Sequence, residues 1–207
     1  MRLASTARLD AWPEIEVLVT HAGVTRRECS LLGLGGTVAP SEIARALNDL
    51  LDSRVERVRG DWARGDWTPL DLAPVHLAGV TRREGGGLLF HRAGDPATDG
   101  DGWKFDKRHP RRFDPRALPR GLVQVCGHTA HRKSWEDLAP GWLAEEMPDR
   151  EHDGLRRLTV RDDVVEYVWW NDERPPVDAD TATLILIDAG MHRSSDEEYP
   201  LLALRDS

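Results

Sequence analysis

Two histidines stand at positions suited to chemistry. Ile15–Thr20 is a short apolar run rich in β-branched residues, and it leads into His21-Ala22-Gly23. Leu122–Cys126 is a second such run, and it leads into Gly127-His128-Thr129. Each run reads as a buried strand. A glycine beside each histidine lets the chain turn sharply where a side chain would clash. Both histidines are thereby left at the carboxyl end of a strand, the edge at which open α/β sheets bind ligands. If the two strands are neighbours, the imidazoles converge on one rim, and a convergent imidazole pair is metal-binding geometry. The competing reading of His21 is a turn histidine bonded to backbone. A third run, Thr183–Ile187, leads into Asp188-Ala189-Gly190. There the carboxylate is expected to bond backbone amides in the turn with Gly190.

These residues need a sheet to carry them. The three runs are continuously apolar rather than alternating, which predicts strands covered on both faces. Pro40-Ser41 opens the clearest helix, with Ile43, Leu47, Leu50, Leu51 and Val58 on one face and Ser41 as its cap. Residues 5–12 read as the last turns of a helix capped by Ser5 and stopped at Pro13. Gly85-Gly86-Gly87 precedes a short strand, Leu88–Arg92. A broken helical stretch is expected over 135–146, interrupted at Pro140-Gly141. A hairpin follows, with strands over 158–161 and 164–169 turning at Asp162-Asp163. Residues 201–204 form a short edge strand. The whole is a mixed α/β (α+β) fold.

The chain has 207 residues and a formal net charge of −8. That length predicts one domain over 1–207, large enough to bury a core without staples. The acidic balance argues against a general nucleic-acid binder, whose footprint is basic. No apolar run approaches the roughly 20 residues of a membrane helix, and Met1–Arg8 lacks the apolar core of a signal peptide. The 2 cysteines, Cys29 and Cys126, suit a reducing cytoplasm rather than a disulfide framework. Gly33–Thr37 is glycine-rich but lacks the Gly-Lys-Ser/Thr ending of a phosphate loop. Residues 93–120 read as a long basic loop. Its Lys104, Lys107, Arg108, Arg111, Arg112, Arg116 and Arg120 are expected either to attract an anionic substrate or to be solvated.

The ordered set of His-Ala-Gly, Gly-His-Thr and Asp-Ala-Gly-Met, each after an apolar strand, resembles the C-terminal half of a calcineurin-like metallophosphoesterase. The resemblance spans roughly residues 14–205. It implies part of a β-sandwich flanked by helices. It also implies a site for divalent metal ions (manganese, iron or zinc) that hydrolyses phosphomonoesters or phosphoproteins through metal-activated water. On this resemblance His21 and His128 are metal ligands through neutral imidazole nitrogen, and Arg26 and Arg92 face the substrate phosphate. Ala130 stands where the family often has a further histidine, and His131, one place later, is not expected to bind. The family's Asp-x-His, Gly-Asp-x-x-Asp-Arg and Gly-Asn-His-Asp/Glu motifs are not in the chain. They supply the bridging carboxylate and most other ligands, so the resemblance assigns no catalytic residue here. It implies a fold whose first half is missing and whose sheet has a bare apolar face. Such a face predicts self-association or a partner chain. The alternative is a non-catalytic interaction module on the same half-fold.

Overall fold

The computed structural model describes residues 2–79, 85–98, 109–143, 154–170, 173–188 and 202–206. Lys104, Lys107, Arg108 and Gly190, singled out above, lie outside the described residues, as does part of the expected strand at 201–204. In chain order the strands are β1 (Ala4–Leu9), β2 (Glu16–Thr20), β3 (His76–Leu77), β4 (Gly86–Gly87), β5 (Arg92–Ala93), β6 (Arg112–Phe113), β7 (Val123–Cys126), β8 (Arg156–Arg161), β9 (Val164–Trp169), β10 (Thr181–Leu186) and β11 (Leu204–Asp206). The α-helices are α1 (Arg26–Leu31), α2 (Pro40–Ala63) and α3 (His131–Trp142). The fold is mixed α/β, as the sequence predicts.

One seven-stranded sheet runs in the order β11-β1-β2-β7-β10-β8-β9. Its centre is parallel: β2 pairs with β7, and β7 with β10. Antiparallel strands flank that centre, β1 and β11 on one side and β8 and β9 on the other. Besides this sheet the described strands form two small two-stranded ribbons, β3 with β4 and β5 with β6.

The register decides which side chains share a face. Leu18, Gln124, Leu184 and Leu158 lie directly across from one another. Leu18 clusters with Ile43, Leu47 and Leu51 of α2 and Cys29 of α1, while Leu184 and Leu158 cluster with Leu138 of α3. All three helices therefore cover one face. The opposite face carries Val17, Val125 and Ile185, and it is not bare. Each of these has 0% exposure, in a cluster with Ile15, Leu155 and Trp170. The exposed apolar face predicted from the half-fold is absent at these residues.

Helix α2 follows the sequence reading, with Ile43, Leu47, Leu51 and Val58 buried. Its first residue is Pro40, where a missing N–H costs nothing. Ser41 lies inside the helix and is not the cap; Glu42 accepts from the Ala39 N–H at 3.1 Å instead. The expected helix over 5–12 is strand β1, paired along its length with β2. Asn48 of α2 fixes its start, accepting from Leu3 N at 2.9 Å and donating to Ala4 O at 2.9 Å. Of the expected strand at Leu88–Arg92 only Arg92 is strand, the first residue of β5; Leu88–Phe90 is a turn, closed by Phe90 N and His91 N both donating to Gly87 O at 2.8 Å. Gly86 is pressed so closely that a Cβ there would stand 2.2 Å from His109 O. The Asp162-Asp163 turn is as predicted. Both residues have positive φ (48° and 63°), the two-residue turn whose twist suits a hairpin. Helix α3 runs through Pro140-Gly141 rather than breaking there. Among the described residues no helix is long and apolar enough to cross a membrane.

Candidate functional site

Thr20 of β2 and Cys126 of β7 are register partners at the carboxyl ends of adjacent parallel strands. One step on, Gly127 N donates to His21 O at 3.1 Å. His128 then adopts a left-handed backbone, φ 71°, a conformation that non-glycine residues hold only when their surroundings enforce it. The result brings the two imidazoles together across 107 positions of sequence. His21 Nε2 lies 3.0 Å from His128 Nδ1, with ring centroids 4.8 Å apart and planes tilted by 54°.

The proton positions follow from the partners. His128 Nε2 lies 3.2 Å from the Phe90 carbonyl, which can only accept. His128 Nε2 is therefore protonated, and in the neutral ring Nδ1 carries the lone pair. His21 Nε2–H donates to that lone pair. Burial holds the His128 pKa below the usual histidine value, and the neighbouring His21 charge acts in the same direction. The Phe90 ring meets the His128 ring edge-on at 5.7 Å.

The loop bearing His21 is pinned from beneath. Gln124, buried in the helix-covered face, accepts from Val24 N at 2.7 Å and donates to Val24 O at 2.8 Å. His91 Nε2 donates to Gly23 O at 3.0 Å, and Gly23 N donates to Thr20 Oγ1 at 3.1 Å. Thr25 then caps α1 in a reciprocal box with Glu28. The loop bearing His128 is held by Arg156, the first residue of β8. Its side chain is fully buried, and Nη2 donates to Thr129 O at 3.0 Å and Asp188 O at 2.6 Å. Among the described residues, Arg156 Nε and Nη1 have no hydrogen-bond partner. One guanidinium thus ties together the chain leaving β7 and the chain leaving β10. Asp188 enters this arrangement through its carbonyl.

Arg92 acts on His128 through its charge; Arg26 lines a separate pocket. Arg92 Nε donates to Asp137 Oδ2 of α3, and its charge is among those acting on His128. Asp137, with a side chain 1% exposed, also pairs with Arg112 at 2.7 Å and Lys133 at 3.3 Å. Burial raises its pKa, but the bonds from Arg92 and Arg112 outweigh burial and hold the group a carboxylate. One buried negative charge therefore faces three cations. Arg26 is exposed, donates to Arg116 O at 2.9 Å, and lines a separate pocket of about 460 Å³ with Gly35, Thr37 and Arg120. Three arginines in the described part of the basic loop are matched by acids: Arg112 by Asp137, Arg116 by Asp114, and Arg120 by Asp163.

His131 bonds the Tyr167 hydroxyl at 3.1 Å, away from the pair. Cys29 and Cys126 are free and buried, and burial pushes their thiols up to about 11 and about 12, so neither is a nucleophile at neutral pH. Among the described residues no group of three or more His, Cys, Asp or Glu side chains is arranged to hold a metal ion. Phe90, Asp137 and Arg156 were not legible as site residues. A backbone carbonyl has no side-chain signature, and a buried arginine reads in sequence as a surface one. Comparison with family models, with curated proteins and with solved structures returns no match.

Proposed function

We propose that His21 and His128 are two ligands of a divalent metal site (manganese, iron or zinc) that acts on phosphate esters, in the manner of the metallophosphoesterases the sequence resembles. The observation that carries this reading is the 3.0 Å approach of two imidazole nitrogens at adjacent parallel strand ends; on binding, the Nε2 proton that His21 donates to His128 would move to His21 Nδ1, freeing the lone pair that a metal needs. With metal–nitrogen bonds of about 2.0–2.1 Å, two tetrahedral zinc ligands stand roughly 3.3 Å apart, so the pair would open by only a few tenths of an ångström to take an ion. The donation from His128 Nε2 to Phe90 O is the outer-shell bond that orients a ligating histidine. The lowered pKa of His128 favours the neutral ring that metals bind.

Two neutral ligands do not complete such a site, since a catalytic zinc takes three protein ligands. The remaining donors on this reading come from outside the described residues. A bound ion would supply an activated water and polarise the phosphoryl oxygen. The chain's own part is to hold His128 in its left-handed turn and to present Arg92, fixed through Nε by Asp137, toward the phosphate charge. Two free cysteines suit a cytoplasmic setting for this activity.

Titration calorimetry with manganese and zinc tests the reading. Wild type is expected to bind, and His21→Ala and His128→Ala each to weaken binding by more than the 10–100-fold typical of outer-shell losses. Equal uptake by all three proteins, or none by wild type, overturns it. The lack of a third donor beside the pair among the described residues favours a second reading, a non-catalytic interaction module. That reading expects no hydrolysis of p-nitrophenyl phosphate with manganese present.

A further inference from the structure

A cleft of about 510 Å³ opens beside His21, within the range of small-molecule sites, roughly 300–1,000 Å³. Leu3 and Thr20 form its buried floor, and Val19, Leu89 and Phe90 form half-exposed apolar walls. Its polar groups are largely engaged already. Thr20 Oγ1 accepts from Gly23 N, and Arg2, the lining arginine, is paired with Asp52 at 3.0 Å. Recognition here therefore comes from apolar contact and shape.

The cleft is continuous with the histidine site. His21 belongs to both. Phe90 lines the cleft with its side chain while its carbonyl holds His128 and its ring abuts the His128 ring. A phosphate ester with phosphorus at the histidine pair extends its organic group over Phe90 into this space. We infer that the cleft is the subsite for that group, and that the substrate class is a phosphomonoester of an apolar, aryl-sized alcohol rather than a phosphorylated polypeptide. The inference rests on the phosphoester reading above. In the hydrolysis, a water oxygen bonds to phosphorus, the bond from phosphorus to the ester oxygen breaks, and a proton from that water ends on the released alcohol.

Binding of 1-naphthyl phosphate, inorganic phosphate and a phosphoserine peptide, each with manganese, tests this, with 1-naphthol as a probe lacking phosphate. The aryl ester is expected to bind at least about tenfold more tightly than inorganic phosphate, a gain that burial of one ring readily supplies. Ser5→Trp, placed on the exposed rim of β1, is expected to fill the cleft and abolish that advantage while leaving inorganic phosphate unchanged. Leu89→Ser is expected to reduce the advantage without blocking the space. An aryl ester that binds no better than phosphate, an advantage that survives Ser5→Trp, or tighter binding of the peptide overturns the inference. If inorganic phosphate fails to bind but 1-naphthol binds wild type and not Ser5→Trp, the phosphoester reading fails and the apolar cleft stands.

Discussion

At the scale of single residues, two buried histidines and the half-buried His128 set an acid limit on the molecule. Burial lowers the pKa of His76 to about 4, and it lowers those of His91 and His128. The unfolded chain takes up protons at these groups near the ordinary value of about 6.5, while the folded chain resists them. Stability is thus complete above about pH 6.5 and is lost as pH falls toward 4. Urea midpoints at pH 7.5 and pH 5 should differ, the lower pH being the weaker. His76→Phe, which keeps an aromatic ring against Phe90, stacked at 5.5 Å, should flatten that difference. A pH slope unchanged by the substitution would show that His76 does not contribute. His21 and His128 were legible in the sequence because each terminates a β-branched run beside a glycine, and backbone geometry alone then brings them to one edge. Asp137 was not legible. Its role depends on Arg92 and Arg112, which lie 45 and 25 positions away, the first at the end of an expected strand and the second in a long basic loop, neither of which points to a residue of α3.

At the scale of elements, the central strands β2, β7 and β10 and helix α2 follow from apolar patterning, whereas β1 does not. Ser5, Thr6 and Arg8 alternate with buried Ala4, Ala7 and Leu9, a weak pattern that local propensity reads as a helix end. Pairing with β2 and the Asn48 bridge override it. The edge that carries the candidate site is likewise set by a contact between elements, since Arg156 of β8 reaches the chain leaving β7 and the chain leaving β10. Among the described residues this buried guanidinium bonds only carbonyls, so its desolvation is offset by no anion, and an apolar replacement relieves that penalty while freeing two carbonyls, terms of opposite sign. Arg156→Met should therefore leave the melting temperature within a few degrees of wild type. Manganese affinity should fall by about tenfold, the range of outer-shell losses, because the Thr129 carbonyl beside the left-handed His128 is released. The opposite pattern, a lower melting temperature with unchanged affinity, would reduce Arg156 to a purely structural clamp.

At the scale of the whole molecule, the two helix-covered clusters divide along the sheet. One gathers α1, α2, β1 and β2; the other gathers α3, β8, β9 and β10. Were these the whole core, the halves could melt apart. The opposite face joins them, since its cluster draws Ala7 and Leu9 from β1, Val17 from β2, Val123 and Val125 from β7 and Ile185 from β10, together with Trp170. Ile185 is fully buried at the centre of that face, across from Val125 on the neighbouring strand. Trimming one methyl there should cost about 0.5–1.5 kcal/mol, and the cost should reach both halves. In Ile185→Val, urea unfolding followed by far-ultraviolet circular dichroism and by tryptophan fluorescence should shift to a lower midpoint by the same amount. The two curves should stay superimposed, as two-state unfolding requires. Curves that separate, with one midpoint moving and the other fixed, would mean that the two helical clusters unfold independently. The single histidine edge between β2 and β7 would then no longer be held by one cooperative sheet.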